Sequence, residues 1–534
     1  MRRSVSLFIW GTVAGLAALG VNFLFRLGGI AAFPPESALY AFLRVVPASI
    51  EEPMVQEFGD LAGKLGLLVA TLIAGLVYGA TFTLYDKFAA SRVAGHGLTK
   101  LETLLVMGAV PWLVFGLALF PIDGDSAFGV ASPFATPAST LVFPLALLLV
   151  QGVFAWIASA RYSLPPVQQA PGAPKQDLNR REFIEKGAIG IVALAGVVMG
   201  ILGLGQLFPS QLQVAGGSQP IDLAGAPAIF SDPRLATLVG SELTPDPAFY
   251  RVDIDLIAPT IDASGWSLMV DGLVRSPKSF SLQDVESFPE VTQYATMECV
   301  SNELNGSLIG NAKWGGTKIS DVLGSAGGTI SGASYVVFYS VDGYSVSIPL
   351  AKAMMPDSLL AYSMNDLPLP ADHGYPLRGL IPGLYGMMSA KWIDRISVVG
   401  APYDGYWQTR GWTSNAAVYT EAFIVLPSAS SLSISQSGGS IVIAGFAFAG
   451  ERGISKVEVS LDNGKTWQDA TLKPALSALT WVLWAYEWVP PGAGEYKVIA
   501  RATDGTGALQ VSSVEGTFPN GATGYVSVIL QLSD

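Results

Sequence analysis

One cysteine and two histidines, His96 and His373, are all that 534 residues contain of these two metal- and redox-active residue types. No disulfide can form within the chain, so any exported part must hold its fold by burying a core. A four-coordinate zinc site would lack His and Cys ligands. There is no CxxCH for attaching haem c, and so few histidines leave a paired-histidine haem b between helices without support. Charge is also scarce, at 13% of residues, and the mean hydropathy of +0.44 is too apolar for an ordinary soluble protein.

What is present in excess is uncharged apolar sequence, concentrated in residues 1–208. Five runs approach the roughly 20 residues that a helix needs to cross a bilayer core: Val5 to Phe25, Leu65 to Tyr85, Thr103 to Ile122, a span within Phe134 to Ala160, and Gly187 to Phe208. Lys and Arg concentrate in the segments that an inside N-terminus makes cytoplasmic, and only Arg26, Arg44 and Lys64 fall in the outer loops. That asymmetry orients the spans. An odd number of them puts everything after Phe208 outside the cytoplasm. The spans carry almost no internal charge, which argues against a transporter.

Before the fifth run stands DLNRREFIEKGAIGIVALAGVV, where Arg180 and Arg181 precede a Gly- and Ala-rich helix. It resembles a twin-arginine export signal, and it also reads as two positive-inside residues at a helix end. Beyond residue 208 there are 17 Lys and Arg against 30 Asp and Glu, so nucleic acid is excluded as a natural partner and a basic protein is favoured. Residues 209–245, rich in Gly, Pro and Ala, read as a tether. Residues 246–425 mix short β runs such as WSLMVDGLV with helix-sized segments such as SLQDVESF, an α+β pattern. Residues 426–534 carry strands separated by turns, as in a β-sandwich. In KVEVSLDNGKTW, Asn463-Gly464 suits the positive φ angles of a tight hairpin.

The single thiol, Cys299, follows the strand-like VTQYATM and opens the segment SNELNGSLIGNAKWGG. A lone cysteine usually packs as a small apolar residue. Here its Gly- and Asn-rich surroundings suit a thiolate that faces a cavity as a soft metal ligand. With so few other ligands in the chain, a redox metal would take most of its coordination from a cofactor.

ECVSN, IGNAKWGGTKISDVL, LLAYSMND, HGYPLRGLIPGLYG and AKWIDRISV together resemble the molybdopterin domain of the sulfite oxidase family, and VEVSLDNGKTWQDATL with ARATDGTG resembles its immunoglobulin-like dimerisation domain. The resemblance covers residues 246–534, and the preceding spans are similar to those of membrane-anchored bacterial members. It implies a molybdenum–molybdopterin cofactor, with Cys299 ligating the metal and the pterin dithiolene adding two sulfurs. It further implies that His373, Arg378 and Lys391 line the pterin and its phosphate, where Arg and Lys complement anionic oxygens. Asn302 would shape the cysteine loop. Arg251, and Arg410 from the segment YWQTRGW, would orient substrate, and Trp412 would wall the pocket.

Departures accompany the match. Val252 and Asp253 stand where sulfite-oxidising members continue an Arg-Asn-His run, Glu303 stands in place of an arginine-rich stretch, and Trp412 aligns with a pocket tyrosine. The expected pocket is less cationic than sulfite or nitrate would favour. The sequence therefore implies a membrane-anchored, extracytoplasmic oxidoreductase that transfers oxygen atoms, with sulfite oxidation and reduction of sulfoxides or other oxidised substrates as alternatives. A third alternative, of another class, is a receptor or scaffold with a degenerate cofactor domain. Electrons would pass to or from a separate haem or quinone-linked partner, such as a basic cytochrome, and a homodimer would form through residues 426–534.

Overall fold

The computed structural model of the protein describes residues 223, 225–254, 258–427, 433–435 and 439–533, the helix Asp60–Arg92, and isolated positions between 8 and 39. The chain divides into two compact units, Met1–Pro47 with Asp60–Leu212, and Ala48–Gly59 with Gln213–Asp534.

In the first unit, the second expected span lies inside the 33-residue helix Asp60–Arg92. Gly75 and Gly79 sit one turn apart on it, and a Cβ at either would collide, with Leu16 in one case and with Phe8 and Thr12 in the other. This is the small-xxx-small spacing of closely packed helices. Val69, Leu72, Ile73, Leu76 and Val77 form a stripe at i, i+3, i+4, i+7 and i+8, each 48–58% exposed. Three glycines and three threonines interrupt the apolar run Leu65 to Tyr85, and the hydroxyls of Thr71, Thr81 and Thr83 donate to carbonyls four residues earlier. Among the described residues no helix is long and apolar enough to cross a membrane, so the expected five-span bundle is not observed. The third, fourth and fifth spans, about half of the first, and the Arg180–Arg181 pair lie outside the described residues.

The second unit begins with ten strands: β1 (Leu268–Gly272), β2 (Lys278–Phe280), β3 (Glu290–Glu298), β4 (Ile309–Lys318), β5 (Tyr335–Ser340), β6 (Ser345–Pro349), β7 (Leu359–Met364), β8 (Leu367–Pro368), β9 (Arg378–Leu380) and β10 (Ile393–Val399). They form one sheet in the order β2-β1-β10-β5-β6 and a second in the order β3-β4-β7-β8, with β9 beside β7. Short helices intervene. The one at Leu282–Glu286 starts where Ser281 and Asp284 cap each other's backbone amides. This is the α+β arrangement expected for the segment. Strand β3 runs from exposed positions at Glu290 into fully buried ones at its end, and so delivers Cys299 into the interior.

Nine further strands make the sandwich: β11 (Glu421–Leu426), β12 (Ser433–Ser435), β13 (Ile441–Phe448), β14 (Ile454–Ser460), β15 (Gln468–Asp469), β16 (Thr471–Leu472), β17 (Val482–Trp488), β18 (Gly494–Asp504) and β19 (Val526–Ser533). The sheets β11-β13-β17-β16 and β12-β19-β18-β14-β15 enclose a common core that includes Ile443, Val459, Trp484, Val498 and Leu530. Because β11 pairs with β13, the sandwich starts before residue 426, earlier than the composition suggested. Asn463 and Gly464 do take positive φ, 62° and 84°. The loop around them is nevertheless longer than a two-residue turn, and Asp462 organises it by accepting from the backbone amides of Lys465 and Thr466.

The expected tether is also corrected in its second half. Phe230, Leu235, Leu238 and Val239 are buried in the main core, and the Glu242 carboxylate accepts two hydrogen bonds from Lys473 of the sandwich, at 3.1 and 2.9 Å. Apolar side chains among the Gly and Pro residues fix this stretch to the unit. Removing one partner of such a buried pair strands the other charge, so Lys473→Met is expected to lower unfolding stability by about 3–5 kcal/mol. A denaturant titration of Lys473→Met against Lys473→Met/Glu242→Gln checks this, because the double variant should recover most of the loss.

Asp504 gives a pH signature. It accepts from Arg452 Nε at 2.8 Å and from the amides of Thr506 and Ala508, both at 3.0 Å. The Thr506 and Arg452 hydrogen bonds outweigh burial and hold its carboxyl down at about 2. A depressed carboxyl stabilises the fold above its unfolded value and loses that contribution as pH falls through the folded one. Wild type should therefore lose more stability than Asp504→Asn between about pH 4 and pH 2, read as the convergence of their melting temperatures.

Candidate active site

Cys299 sits where β3 gives way to a loop that returns as β4. Its amide donates to Leu308 O at 2.9 Å, while Asn302 closes the loop from inside. The Asn302 side chain accepts from Leu308 N at 2.8 Å and donates to Glu298 Oε1 at 3.0 Å. Asn302 thus occupies a place from which it shapes the loop behind the thiol. The Cys299 thiol is 7% exposed, lies 3.1 Å from Ser301 Oγ, and has its pKa raised, chiefly by burial.

The thiol faces a cavity of about 970 Å³, part of it open to solvent, whose lining includes His373, Arg378, Lys391 and Trp412. His373 Nε2 donates to Asp246 O at 2.9 Å, which fixes the tautomer because a carbonyl can only accept. Burial pulls its pKa down to about 4, so it is neutral at pH 7. Arg378 opens β9 and is 3% exposed. It donates to the carbonyl of His373 at 3.0 Å and to Met297 Sδ at 3.1 Å, and lies 4.9 Å over the Trp314 ring. Burial pulls the guanidinium down to about 10. Among the described residues no carboxylate pairs with it.

The two arginines expected to orient substrate do not line the cavity. Arg251 is drawn into a cluster, with Nε 2.5 Å from Asp253 and Nη1 3.0 Å from Asp372. Asp253 also pairs with Lys391, whose Nζ donates to Asp372 O at 3.0 Å. Arg410 lies 3.5 Å over the Tyr406 ring and donates to the carbonyl of the same residue. Trp412 does wall the cavity, edge-on to Trp407 and to Phe518.

Several lining residues were not picked out from the sequence. Tyr344, just before β6, donates its hydroxyl to Met387 O at 2.5 Å, so the cavity has a tyrosine in addition to the tryptophan at position 412. Asp342, two residues earlier, also lines it. Behind the thiol, burial pushes the Glu298 carboxyl up to about 7. Glu298 stood in plain view in ECVSN; what the sequence could not show is its burial.

A thiol, a buried cation without a carboxylate and a second cation on one cavity suit a ligand that brings both a metal and an anionic group. Among the described residues no three His, Cys, Asp or Glu side chains group into a metal site, so a metal held by Cys299 would take its other ligands from the bound group. A molybdenum–pterin phosphate meets both requirements.

Residues 255–407 match the oxidoreductase molybdopterin binding domain, and residues 413–517 match the Mo-co oxidoreductase dimerisation domain. The chain is 32% identical to the mitochondrial sulfite oxidase of Rattus norvegicus over 328 residues, 53% of this chain and 60% of that protein. It is 31% identical to the sulfite oxidase of Arabidopsis thaliana over 346 residues, 54% of this chain and 87% of that protein. The chain therefore spans less than two thirds of the length of the rat relative. The solved sulfane dehydrogenase SoxCD from Paracoccus pantotrophus aligns at a TM-score of 0.49 with 24% identity, covering 55% of this chain and 84% of that one. By its matched domains and its identity to a relative covered over most of its length, the chain belongs to the sulfite oxidase family of molybdopterin-dependent oxidoreductases.

Proposed function

We propose that the protein catalyses two-electron oxygen-atom transfer in this cavity, exchanging electrons with a separate haem or quinone-linked carrier. The observation that carries this reading is the placement of Cys299 and Arg378 on one cavity. When bound, the molybdenum cofactor supplies the redox chemistry and the oxygen transfer. The chain supplies everything around it. Cys299 provides a thiolate, held in position by the loop that Asn302 closes. Arg378 offers its charge to the phosphate and is kept rigid by carbonyls and the Trp314 ring. Lys391 contributes a second cation, held beside Asp253. His373, neutral and fixed by Asp246 O, presents its ring without adding charge. Trp407 and Trp412, edge-on to each other, give the cavity an apolar wall. Turnover in ¹⁸O-labelled water with an artificial one-electron carrier tests this. Label exchanged between solvent and the transferred position is expected, and turnover without it would contradict the proposal.

Sulfite oxidation and sulfoxide reduction both belong to this chemistry. The scaffold alternative is disfavoured, because an empty domain gains nothing from burying a cation that has no carboxylate.

We further place the catalytic unit outside the cytoplasm, anchored through residues 1–208 with export by the twin-arginine route. The charge asymmetry of the loops supports this, as do the exposed apolar stripe and close glycine packing of Asp60–Arg92. Retention in the membrane fraction after alkaline carbonate, together with protease access to the catalytic unit in spheroplasts, is expected; release by carbonate would contradict it. The dimerisation domain supports a homodimer, and the acidic exported part supports a basic electron carrier whose association rate falls with salt.

A further inference from the structure

Three observations bear on what the cavity admits. The first is where its positive charge goes. Arg251 and Arg410 are engaged elsewhere, Lys391 is paired with Asp253, and Arg378 is committed to the cofactor phosphate under the reading above. None of them is left to bind a substrate anion.

The second is a carboxyl of the opposite preference. Asp342 lies in the turn between β5 and β6 and lines the cavity, with Oδ1 accepting from Tyr344 N at 3.0 Å. Tyr344, whose amide it binds, lines the same cavity, as does Cys299. Burial pushes Asp342 up to about 7, and Asp394 adds to the shift. The site already resists one negative charge, and an anionic substrate would bring another.

The third is the wall. Trp407 and Trp412 meet edge-on with centroids 6.5 Å apart, and Phe518 backs Trp412 at 5.1 Å. Such rings favour apolar substituents. An inorganic oxyanion has none.

We propose that the substrate is an uncharged organic oxide of the sulfoxide type, and that Asp342 and the Trp407–Trp412 wall select it against inorganic oxyanions. This deepens the oxygen-atom-transfer reading and rests on it. In the reductive direction the S–O bond breaks, the oxygen leaves as water with two protons, and sulfur gains the two electrons that a one-electron carrier delivers in two steps.

The test uses the holoenzyme with its molybdenum content measured on the same sample. Calorimetric titration with two non-reacting probes, dimethyl sulfone and sulfate, reads the preference without turnover. Dimethyl sulfone is expected to bind at least about tenfold more tightly than sulfate, and Asp342→Asn, which keeps the acceptor for Tyr344 N, is expected to shift that ratio about tenfold towards sulfate. The ratio of kcat/KM for dimethyl sulfoxide reduction with reduced viologen to that for sulfite oxidation with ferricyanide should move the same way. Molybdenum-replete protein that prefers sulfate and sulfite, or an Asp342→Asn ratio equal to wild type, overturns this inference alone. Metal-free protein from a cofactor-making host overturns the function reading and the inference with it.

Discussion

Replacing Cys299 with serine is expected to lower turnover by about a thousandfold or more, equivalent to about 4 kcal/mol of transition-state stabilisation. The same change should shift unfolding stability by only about 1 kcal/mol. The two effects separate because the thiol has two different surroundings. As a buried side chain it is small, its thiol shares a hydrogen bond with Ser301 Oγ, and a hydroxyl can replace that contact. As a metal ligand it is soft and anionic once its proton is displaced, and a hydroxyl is neither at neutral pH. Visible absorption of the purified variant checks the assignment alongside its activity. Charge-transfer intensity between thiolate and metal should be lost, with the circular dichroism unchanged. A variant as active as wild type would remove Cys299 from the centre of the account.

Arg378→Met is expected to act in opposite directions on cofactor retention and on the stability of the cofactor-free protein. The guanidinium is buried against Trp314 and carbonyl oxygens, with no carboxylate among the described residues to balance it. A methionine of similar length leaves no uncompensated charge, and swaps of this kind are neutral or stabilising. Cofactor binding should suffer, because the phosphate loses a desolvated cationic partner worth about 2–5 kcal/mol, or about thirty- to several-thousandfold in affinity. Molybdenum content after dialysis and the melting temperature of the cofactor-free form are the two readings. A variant that keeps its molybdenum while the cofactor-free form melts lower would show that Arg378 is structural.

Much of this site was legible in the sequence, for identifiable reasons. The end of β3 could be read because VTQYATM has the composition of a strand that enters a core, and the loop after it could be read from its Gly and Asn content. The helix at Leu282–Glu286 and the sandwich strands followed from local patterns of the same kind. What could not be read is side-chain direction. Arg251 and Arg410 carry the right charge at the matching positions, yet Asp253 and Asp372 take one and the Tyr406 ring takes the other. The signal for the first was present: Asp253 stands two residues from Arg251, where a carboxylate easily folds back on a guanidinium. Asp342 and Tyr344 were missed because VDGYS looks like an ordinary turn, and only the pairing of β5 with β6 brings that turn to the cavity. Burial of Phe230, Leu235, Leu238 and Val239 was hidden by their Gly, Pro and Ala neighbours, since apolar side chains spaced along such a stretch carry no period.

The N-terminal part stands differently. Hydropathy and charge bias argue for an anchor, and the exposed stripe on Asp60–Arg92 needs an apolar cover of some kind. No helix among the described residues meets the requirements of a span, so the anchor rests on the fractionation experiment.

The measurement that bears most directly on the central claim is the molybdenum and pterin content of wild-type protein purified from a host that makes the cofactor. About one molybdenum and one pterin per chain are expected, since one thiol serves one metal. Protein that leaves such a host free of both would contradict the account, and would leave a buried thiol and an unbalanced buried arginine in a domain with no cofactor to hold.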